Sequence, residues 1–301
     1  MKNAITTASA EQARDMLAKA HKKAAEALEL TQHEPTKKGI KNILNNNIIP
    51  AEKIIEKAAE RGKITKAEAV ALLKHVNIAY HKSGKIAGAI SADMSSMCAF
   101  CEAMAKNPEL ICAGCYARAQ REQMKVYTQL RHMLNTAILT LTAYDRQSLR
   151  TLSLGGSDIL RICEDGDTPN AEAAENMIEI TKLFSAGMPK NNAGYWYKNT
   201  PAVKKGIEEA GNPKKTRFIH SSPRVNVPAK AEEHDDAIFT VYDNKEAFEA
   251  AIKAGAHECK GAENGGCAGC GWFCYKCRKR EAGAEPVHIA EKLRVSGKPV
   301  F

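Results

Sequence analysis

The sequence lacks an apolar run long enough to cross a membrane, and its first thirty residues give no support for secretion. Residues 1–30 carry many charges and contain no unbroken apolar stretch of signal-peptide length. No later window approaches the length of a membrane span. These absences predict a cytoplasmic chain without membrane association. Because thiols stay reduced in the cytoplasm, they also disfavour disulfides between its cysteines.

Charge of one sign is present in only mild excess. The formal net charge is +9, and +6 of it falls in residues 1–97. A balance of this size permits a polyanionic partner such as nucleic acid without requiring one. The hydrophobic content of 44 % and the charged content of 26 % over 301 residues are typical of a globular protein. Such a chain can bury one large core or two modest ones.

Cysteine, in contrast, is abundant, and nine of the ten cysteines fall into two clusters. The first cluster has the spacing C-x2-C-x10-C-x2-C and the second has gaps of seven, two, three and two residues. The first cluster consists of Cys98, Cys101, Cys112 and Cys115. The second consists of Cys259, Cys267, Cys270, Cys274 and Cys277. Two residues between cysteines let one turn direct both sulfurs at one ion. The pattern therefore predicts metal binding through thiolates.

The identity of the metal is left open between zinc and iron–sulfur. Four thiolates of the first cluster can close a zinc site or hold a [4Fe–4S] cluster. In the second cluster no histidine lies at zinc-finger spacing, and the cysteine gaps resemble those of ferredoxins. We therefore expect two iron–sulfur centres. The alternatives are zinc, and a single centre that both clusters share.

Three regions are predicted along the chain. Residues 1–78 form a helical N-terminal segment, with helices over Ala10–Leu30 and from Pro50 onward. Within it the capping box Thr65–Glu68 opens another helix and residues 37–47 form a loop. Residues 79–258 alternate short strands with helices of about ten residues, which predicts an α/β domain with a parallel, partly barrel-like sheet. Residues 259–301 form a Cys-rich metal-binding segment.

Polar residues follow nearly every predicted strand of the α/β domain. They are Glu164, Asp165 and Asp167, then Lys198 and Asn199, then His220, Ser221 and Ser222, and finally Asp243. Because sites in parallel α/β folds gather at the carboxyl edge of the sheet, these residues outline a pocket there. Cys163 stands alone in an apolar strand and is interpreted as a buried structural thiol.

Several of these motifs together resemble the phage gene product 88 family over about residues 79–280. They are Cys112-Ala-Gly-Cys115-Tyr-Ala117, Leu160-Arg-Ile162, Gly166-Asp167, Tyr195-Trp-Tyr-Lys198, Ser221-Ser222 and the run from Cys267 to Cys277. The chain departs from that family in the insertion within its first cluster and in Cys163, where the family has histidine. The resemblance implies a phage-associated protein.

The same layout is similar to that of radical S-adenosylmethionine enzymes. That similarity implies a partial parallel barrel, a [4Fe–4S] cluster on the first cysteines and S-adenosylmethionine bound beside it. Gly166 and Asp167 are then expected to meet the amino group of the cofactor, with residues 155–158 as a rival turn. Lys198, Ser221 and Ser222 complete the expected cofactor-binding set. Because the C-x3-C-x2-C triplet of those enzymes is absent, a non-catalytic zinc or iron–sulfur module in phage or host nucleic-acid metabolism remains the alternative.

Overall fold

Strands and helices alternate through the middle of the chain and build one mostly parallel sheet. A computed structural model describes residues 5–61, 64–73, 76, 78–82, 89–115, 126–142, 157–259, 267, 271, 273–276, 279–281, 283–295 and 298–301. Cys270 and Cys277, residues 155–156 of the rival turn and residues 116–125 of the long helix predicted after the first cluster lie outside these residues. Among the described residues, no helix has both the length and the apolar character needed to cross a membrane.

The N-terminal segment is helical, as predicted. Its helices are α1 (Thr7–Leu30), α2 (Glu34–Ile43), α3 (Ile49–Glu60) and α4 (Lys66–Leu73), with a π-helical turn over Leu44–Ile48. The Thr65 hydroxyl accepts from the Glu68 amide at 3.1 Å, and the Glu68 carboxylate accepts from the Thr65 amide at 2.8 Å. This reciprocal pair confirms the predicted capping box.

The prediction of a loop over residues 37–47 is wrong, because helix α2 and the π-helical turn occupy it. The segment is polar in composition, but Ile40, Ile43 and Ile48 are buried and recur at nearly helical spacing. Pro35 lies in the first turn of α2, where a missing amide hydrogen costs nothing. A narrow apolar stripe is therefore enough to dock this helix.

Among the described residues, the sheet contains seven parallel strands and one antiparallel strand at its edge. The strands are β1 (His81–Lys82), β2 (Ile90–Ala92), β3 (Ile159–Ile162), β4 (Asn192–Tyr197), β5 (Thr216–Ser221), β6 (Ala237–Tyr242), β7 (His257–Glu258) and β8 (Val287–Lys292). Their spatial order is β1-β2-β3-β4-β5-β6-β8-β7, and only the β1–β2 pair is antiparallel. A two-stranded ribbon of β9 (Arg294–Val295) and β10 (Lys298–Pro299) follows. Strands β2 to β6 are neighbours in chain order and all pair in parallel, so their carboxyl ends share one edge.

Helices connect most of these strands. They are α5 (Ala99–Ala105), α6 (Val126–Leu139), α7 (Ala171–Gly187), α8 (Thr200–Ala210), α9 (Lys245–Lys253) and the single turn α10 (Phe273–Lys276). The expected stop of α8 is confirmed by Gly211, whose φ is +82°. Two cap predictions are wrong: α7 runs through Gly187, and the side chain that caps α9 belongs to Asn244 rather than Asp243. The Asn244 oxygen accepts from the Ala247 amide at 3.0 Å.

The two faces of the sheet pack against different layers. Leu160, Tyr195 and Phe218 belong to the large core that the sheet shares with the N-terminal helices and with α6 and α7. Their neighbours Ile159, Trp196 and Ile219 point the other way and pack with Cys274 and Tyr275. Because successive strand residues face opposite sides, one strand sequence serves both layers.

The sheet continues past residue 258, where the sequence placed a boundary. Strand β8 pairs in parallel with both β6 and β7. Within the predicted C-terminal segment, Cys274 and Tyr275 pack on one sheet face, and Val287–Lys292 returns as a strand. In the same way α1 packs on α6 and joins the main core, so the N-terminal helices share their apolar surface with the α/β domain.

We predict opposite effects for two helical Gly-to-Ala substitutions. A Cβ on Gly206 would lie 2.6 Å from the Ala174 Cβ and 2.8 Å from the Glu175 amide nitrogen, so Gly206→Ala must separate α8 from α7. We expect it to lower the free energy of unfolding by about 1–3 kcal/mol. A Cβ on Gly39 meets nothing within 4 Å, so Gly39→Ala should raise it by up to about 1 kcal/mol. Urea unfolding measures both, and equal shifts would contradict this packing.

Candidate metal and cofactor site

The first two cysteines of the first cluster lie directly beyond strand β2, at the beginning of α5. Cys98 is the N-cap of α5, and its sulfur accepts a hydrogen bond from the Cys101 amide at 3.4 Å. The side chains of Cys98 and Cys101 also share a hydrogen bond, which lowers the pKa of Cys98 and raises the pKa of Cys101. Cys98 is 1 % exposed. The helix start therefore presents two neighbouring thiols, of which the buried Cys98 has the lowered pKa.

The other two cysteines lie on a 3₁₀ turn over Ile111–Gly114. The Cys115 amide donates to the Cys112 carbonyl at 3.3 Å, which closes the turn. The amide of Ile111 donates to the Pro223 carbonyl at 2.8 Å, and Arg224 forms an ion pair with Glu109 at 2.9 Å. Both cysteine pairs belong to the connection between β2 and β3, and these two contacts attach the second pair to the loop after β5.

Three cysteines and the predicted acidic turn surround one pocket at the carboxyl edge of the sheet. The residues that line it are Ser96, Phe100, Cys101, Met104, Cys112, Cys115, Gly166, Asp167 and Lys198. The sulfur of Cys98 reaches the same turn, 3.8 Å from the Asp167 carbonyl oxygen. None of the described cysteines forms a disulfide. The structure thus brings together residues separated by up to one hundred positions in the chain.

Gly166 is required by a close approach between two loops. Its φ is +73°, and a Cβ at this position would lie 2.3 Å from the Met94 carbonyl oxygen. The Met94 amide in turn donates to the Asp165 carbonyl at 3.1 Å. Only glycine combines this conformation with this contact. The turn after β3 therefore lies against the loop that leads into Cys98.

Asp167 is buried and holds the neighbouring loops in place. Its carboxylate accepts from the Thr168 amide at 2.6 Å and from the Lys198 amide at 2.8 Å. Burial raises the pKa of Asp167, and the Lys198 ammonium opposes this increase. Both carboxylate oxygens thus have partners within the protein.

Lys198 supplies the positive charge in the pocket. Burial alone would lower the pKa of its ammonium group, but Asp167 and three cysteines outweigh burial and raise it. Those cysteines are Cys112, Cys101 and Cys115. A cation in this position offsets negative charge on thiolates and on Asp167. Lys198 immediately follows β4, which confirms the predicted position of this residue after a strand.

The expected cofactor residues Ser221 and Ser222 do not line this pocket. The Ser222 hydroxyl bonds to the Thr240 hydroxyl at 2.8 Å and accepts from the Ala229 amide at 2.8 Å. It is buried and fixes the loop after β5. Ser222 thus stabilises the loop after β5, to which the turn containing Cys112 is hydrogen-bonded through Ile111 and Pro223.

A buried polar network lies next to Lys198 in the sequence and includes Tyr197, and the sequence analysis had singled out only His220 of its two histidines. The Tyr197 hydroxyl bonds to His234 Nε2 at 2.8 Å and donates to the Asp235 carboxylate. His220 Nδ1 lies 3.3 Å from the other Asp235 carboxylate oxygen, and the imidazole ring of His220 stacks on the Tyr197 ring. Burial raises the pKa of Tyr197 and lowers the pKa of His234. Tyr197 and His234 carried no strand-end signal, because Tyr197 lies within β4 and His234 in an irregular loop.

The described members of the second cysteine cluster pack around one apolar patch on the other sheet face. Cys274 is buried there with Tyr275, and Cys259 and Cys267 contact the same patch. Tyr275 lies on Gly194, where an added Cβ would approach its ring to 2.6 Å.

Cys163, which was interpreted as structural, is 5 % exposed just beyond β3, and burial raises its pKa. Its φ of 59° is unusual for a non-glycine residue.

We predict that Asp167→Ala destabilises the protein because it removes the acceptor of two buried backbone amides. The expected loss is about 1–3 kcal/mol for each amide left without a partner. Asp167→Asn should cost less, since its side-chain oxygen still accepts one bond. Asp158→Ala, at a half-buried carboxylate before β3, is the matched control and should stay within about 0.5 kcal/mol. Chemical unfolding distinguishes them; similar values for the two alanine variants would refute the role of Asp167.

Comparisons with known proteins return no relative for this chain. No family model, curated protein or solved structure matches it. Any functional inference must therefore rest on the thiols, the Gly166–Asp167 turn and Lys198, which meet at the carboxyl edge of the sheet.

Proposed function

We propose that this chain is a phage-associated iron–sulfur protein of the gene product 88 type with a radical S-adenosylmethionine-like architecture. The first cysteine cluster is proposed to hold a [4Fe–4S] cluster, and the second an auxiliary one. The observation that carries the proposal is the pocket in which Cys101, Cys112 and Cys115 meet the Gly166–Asp167 turn at the end of β3. The consecutive order of β2 to β6 supports a partial barrel around that edge.

The donor set fits an iron–sulfur cluster. The ligands offered are thiols, which soft metal centres prefer, and the pocket adds a cation that offsets thiolate charge. A tetrahedral zinc site with Zn–S bonds of about 2.3 Å needs sulfurs about 3.8 Å apart. Among the described residues, the group whose ligand atoms all lie within 4.8 Å contains no cysteine. The described thiols are therefore not gathered into a closed set of three or more around one zinc ion, although the Cys98 and Cys101 side chains lie within hydrogen-bond reach of each other.

The chain's own residues have defined tasks in this proposal. Phe100 and Met104 line the pocket and exclude water, while Lys198 balances negative charge. Gly166 lets the turn approach the cysteine loop, and Asp167 fixes that turn. When bound and reduced, a [4Fe–4S] cluster with one open iron supplies the electron for cleavage of S-adenosylmethionine. The amino group of that cofactor would meet the Gly166–Asp167 turn.

The alternative function is a non-catalytic metal-bound module in phage or host nucleic-acid metabolism. The observation that favours it is the fourth thiol, since Cys98 lies at the same turn as the other three. Four cysteine ligands saturate a cluster and leave no iron open for the cofactor. The mildly basic chain permits a nucleic-acid partner.

We predict that anaerobically reconstituted protein is brown, absorbs near about 400 nm and contains about eight irons and eight sulfides per chain. Cys101→Ser combined with Cys112→Ser should remove about half of the iron, because one cluster loses two ligands. Cys270→Ser combined with Cys274→Ser should remove the other half. Iron and acid-labile sulfide analysis measures both.

Cys163→Ser is the matched control for iron content, since Cys163 belongs to neither cluster. It should keep the full complement of iron. A colourless protein with about two zinc ions per chain would refute the iron–sulfur assignment and support the zinc module.

We predict that dithionite-reduced protein cleaves S-adenosylmethionine to 5′-deoxyadenosine and methionine. Lys198→Met should slow this cleavage, because the pocket loses its positive charge, whereas Lys190→Met, in the exposed turn before β4, should not. Chromatography of the nucleoside product gives the rate. An iron-loaded protein that yields no 5′-deoxyadenosine contradicts the catalytic proposal and leaves the non-catalytic module.

A further inference from the structure

A second group of metal-binding side chains lies beside the cysteine pocket. Asp93, His132 and Asp165 each offer a ligand atom, and these atoms all lie within 4.8 Å of one another. Asp93 follows β2, Asp165 lies in the turn after β3, and His132 projects from α6. We propose that these three residues bind one divalent first-row transition ion through oxygen and nitrogen, independently of the cysteines.

The spacing of the three ligand atoms matches that around a single ion. With bonds of about 2.1–2.2 Å, neighbouring ligands of an octahedral ion are about 3 Å apart and opposite ones about 4.3 Å apart. His132 Nε2 and Asp93 Oδ2 are 3.9 Å apart, which lies between these values. An ion therefore fits with small side-chain adjustments.

Hydrogen bonds around the group hold two of its ligands in place. Asp93 Oδ1 accepts from the Ser91 hydroxyl at 2.7 Å and from the Glu164 amide at 2.8 Å, so Oδ2 is the oxygen presented to His132. Asn135, three residues after His132, donates to the Asp93 carbonyl at 3.0 Å and bonds to both backbone groups of Ala79. These bonds fix α6 against the end of β2. Such outer partners orient ligands in metal sites.

The charge balance of the group also favours a cation. Asp93 is 0 % exposed and Asp165 is half-buried, so two carboxylates face each other with little water between them. Burial and the Asp93 charge raise the pKa of Asp165 to about 6, and His132 acts in the opposite direction. A divalent ion would offset both negative charges at once.

The mixture of ligands indicates the class of ion. Carboxylates suit hard ions such as Mn²⁺, and imidazole adds affinity for transition ions over Mg²⁺ and Ca²⁺. Thiolates, in contrast, select zinc and iron–sulfur clusters. Mn²⁺ is therefore a probe that reports on this group and not on the cysteine clusters.

We predict that the full chain, stripped by a chelator and titrated with Mn²⁺, binds about one ion per chain. Loss of the free Mn²⁺ electron paramagnetic resonance signal measures binding. Asp165→Asn and His132→Gln should each weaken it by at least about 10-fold, since each removes one ligand. Asp158→Asn, which changes a carboxylate at the other end of β3, should bind as the parent does.

Thermal unfolding separates ligand loss from misfolding. Mn²⁺ should raise the unfolding temperature of the parent and of Asp158→Asn, but not that of a folded Asp165→Asn variant. The double variant of Cys101→Ser and Cys112→Ser should keep its Mn²⁺. Unchanged Mn²⁺ affinity in both ligand variants, or loss of Mn²⁺ only in the cysteine variant, would overturn the proposal.

Discussion

The parallel pairing of β2 with β3 is the constraint on which the candidate site depends. Ile90, Ser91 and Ala92 lie opposite Leu160, Arg161 and Ile162, so the loops that follow the two strands begin side by side. The Met94 amide then bonds to the Asp165 carbonyl, and Gly166 approaches the Met94 carbonyl closely enough to exclude any side chain. Cys98 and Asp167 meet because of this pairing. The Asp93 and Asp165 carboxylates come together for the same reason.

Buried charge along this edge is balanced by nearby partners. Asp167 bonds to two backbone amides and lies beside the Lys198 ammonium, while Asp235 receives Tyr197 and His220. A buried carboxylate without such partners would raise its pKa and lose its charge. At Asp93 and Asp165 the only basic ligand atom in the group is that of His132, which is why a metal ion is a reasonable occupant there.

The opposite face of the sheet gives the C-terminal cysteines a different setting. Tyr275 lies on Gly194, and Arg161 stacks on Trp196 at 4.6 Å, so the segment around Cys274 closes over the strands. Strand β8 then returns into the sheet. In our proposal the auxiliary cluster would anchor this cover, since the glycine-rich residues before it have few apolar side chains to order them.

The sequence alone was enough to predict most of the described helices and strands and the sheet edge at which the candidate site lies. Alternation of strands and helices, the stop at Gly211 and the capping box at Thr65 depend on local preferences, and these act over a few residues. Local preference failed at α2, where two isoleucines that are buried against the rest of the core outweigh a polar composition. The resemblance to radical enzymes led us to expect Gly166 and Asp167 beside the first cysteines, and the strand-end pattern included Lys198; all three line the pocket with Cys101, Cys112 and Cys115.

Only the tertiary structure decided which strand ends meet and which residues stay apart. Ser222 follows its strand as Lys198 does, yet it bonds to Thr240 and lies outside the pocket. His132 had no signal at all, because a histidine on an apolar helix becomes a ligand candidate only when α6 docks beside Asp93. Contacts of this kind depend on pairing and packing between segments far apart in the chain. A linear pattern contains the residues of the site, but the sheet and the docked helix set the distances between them.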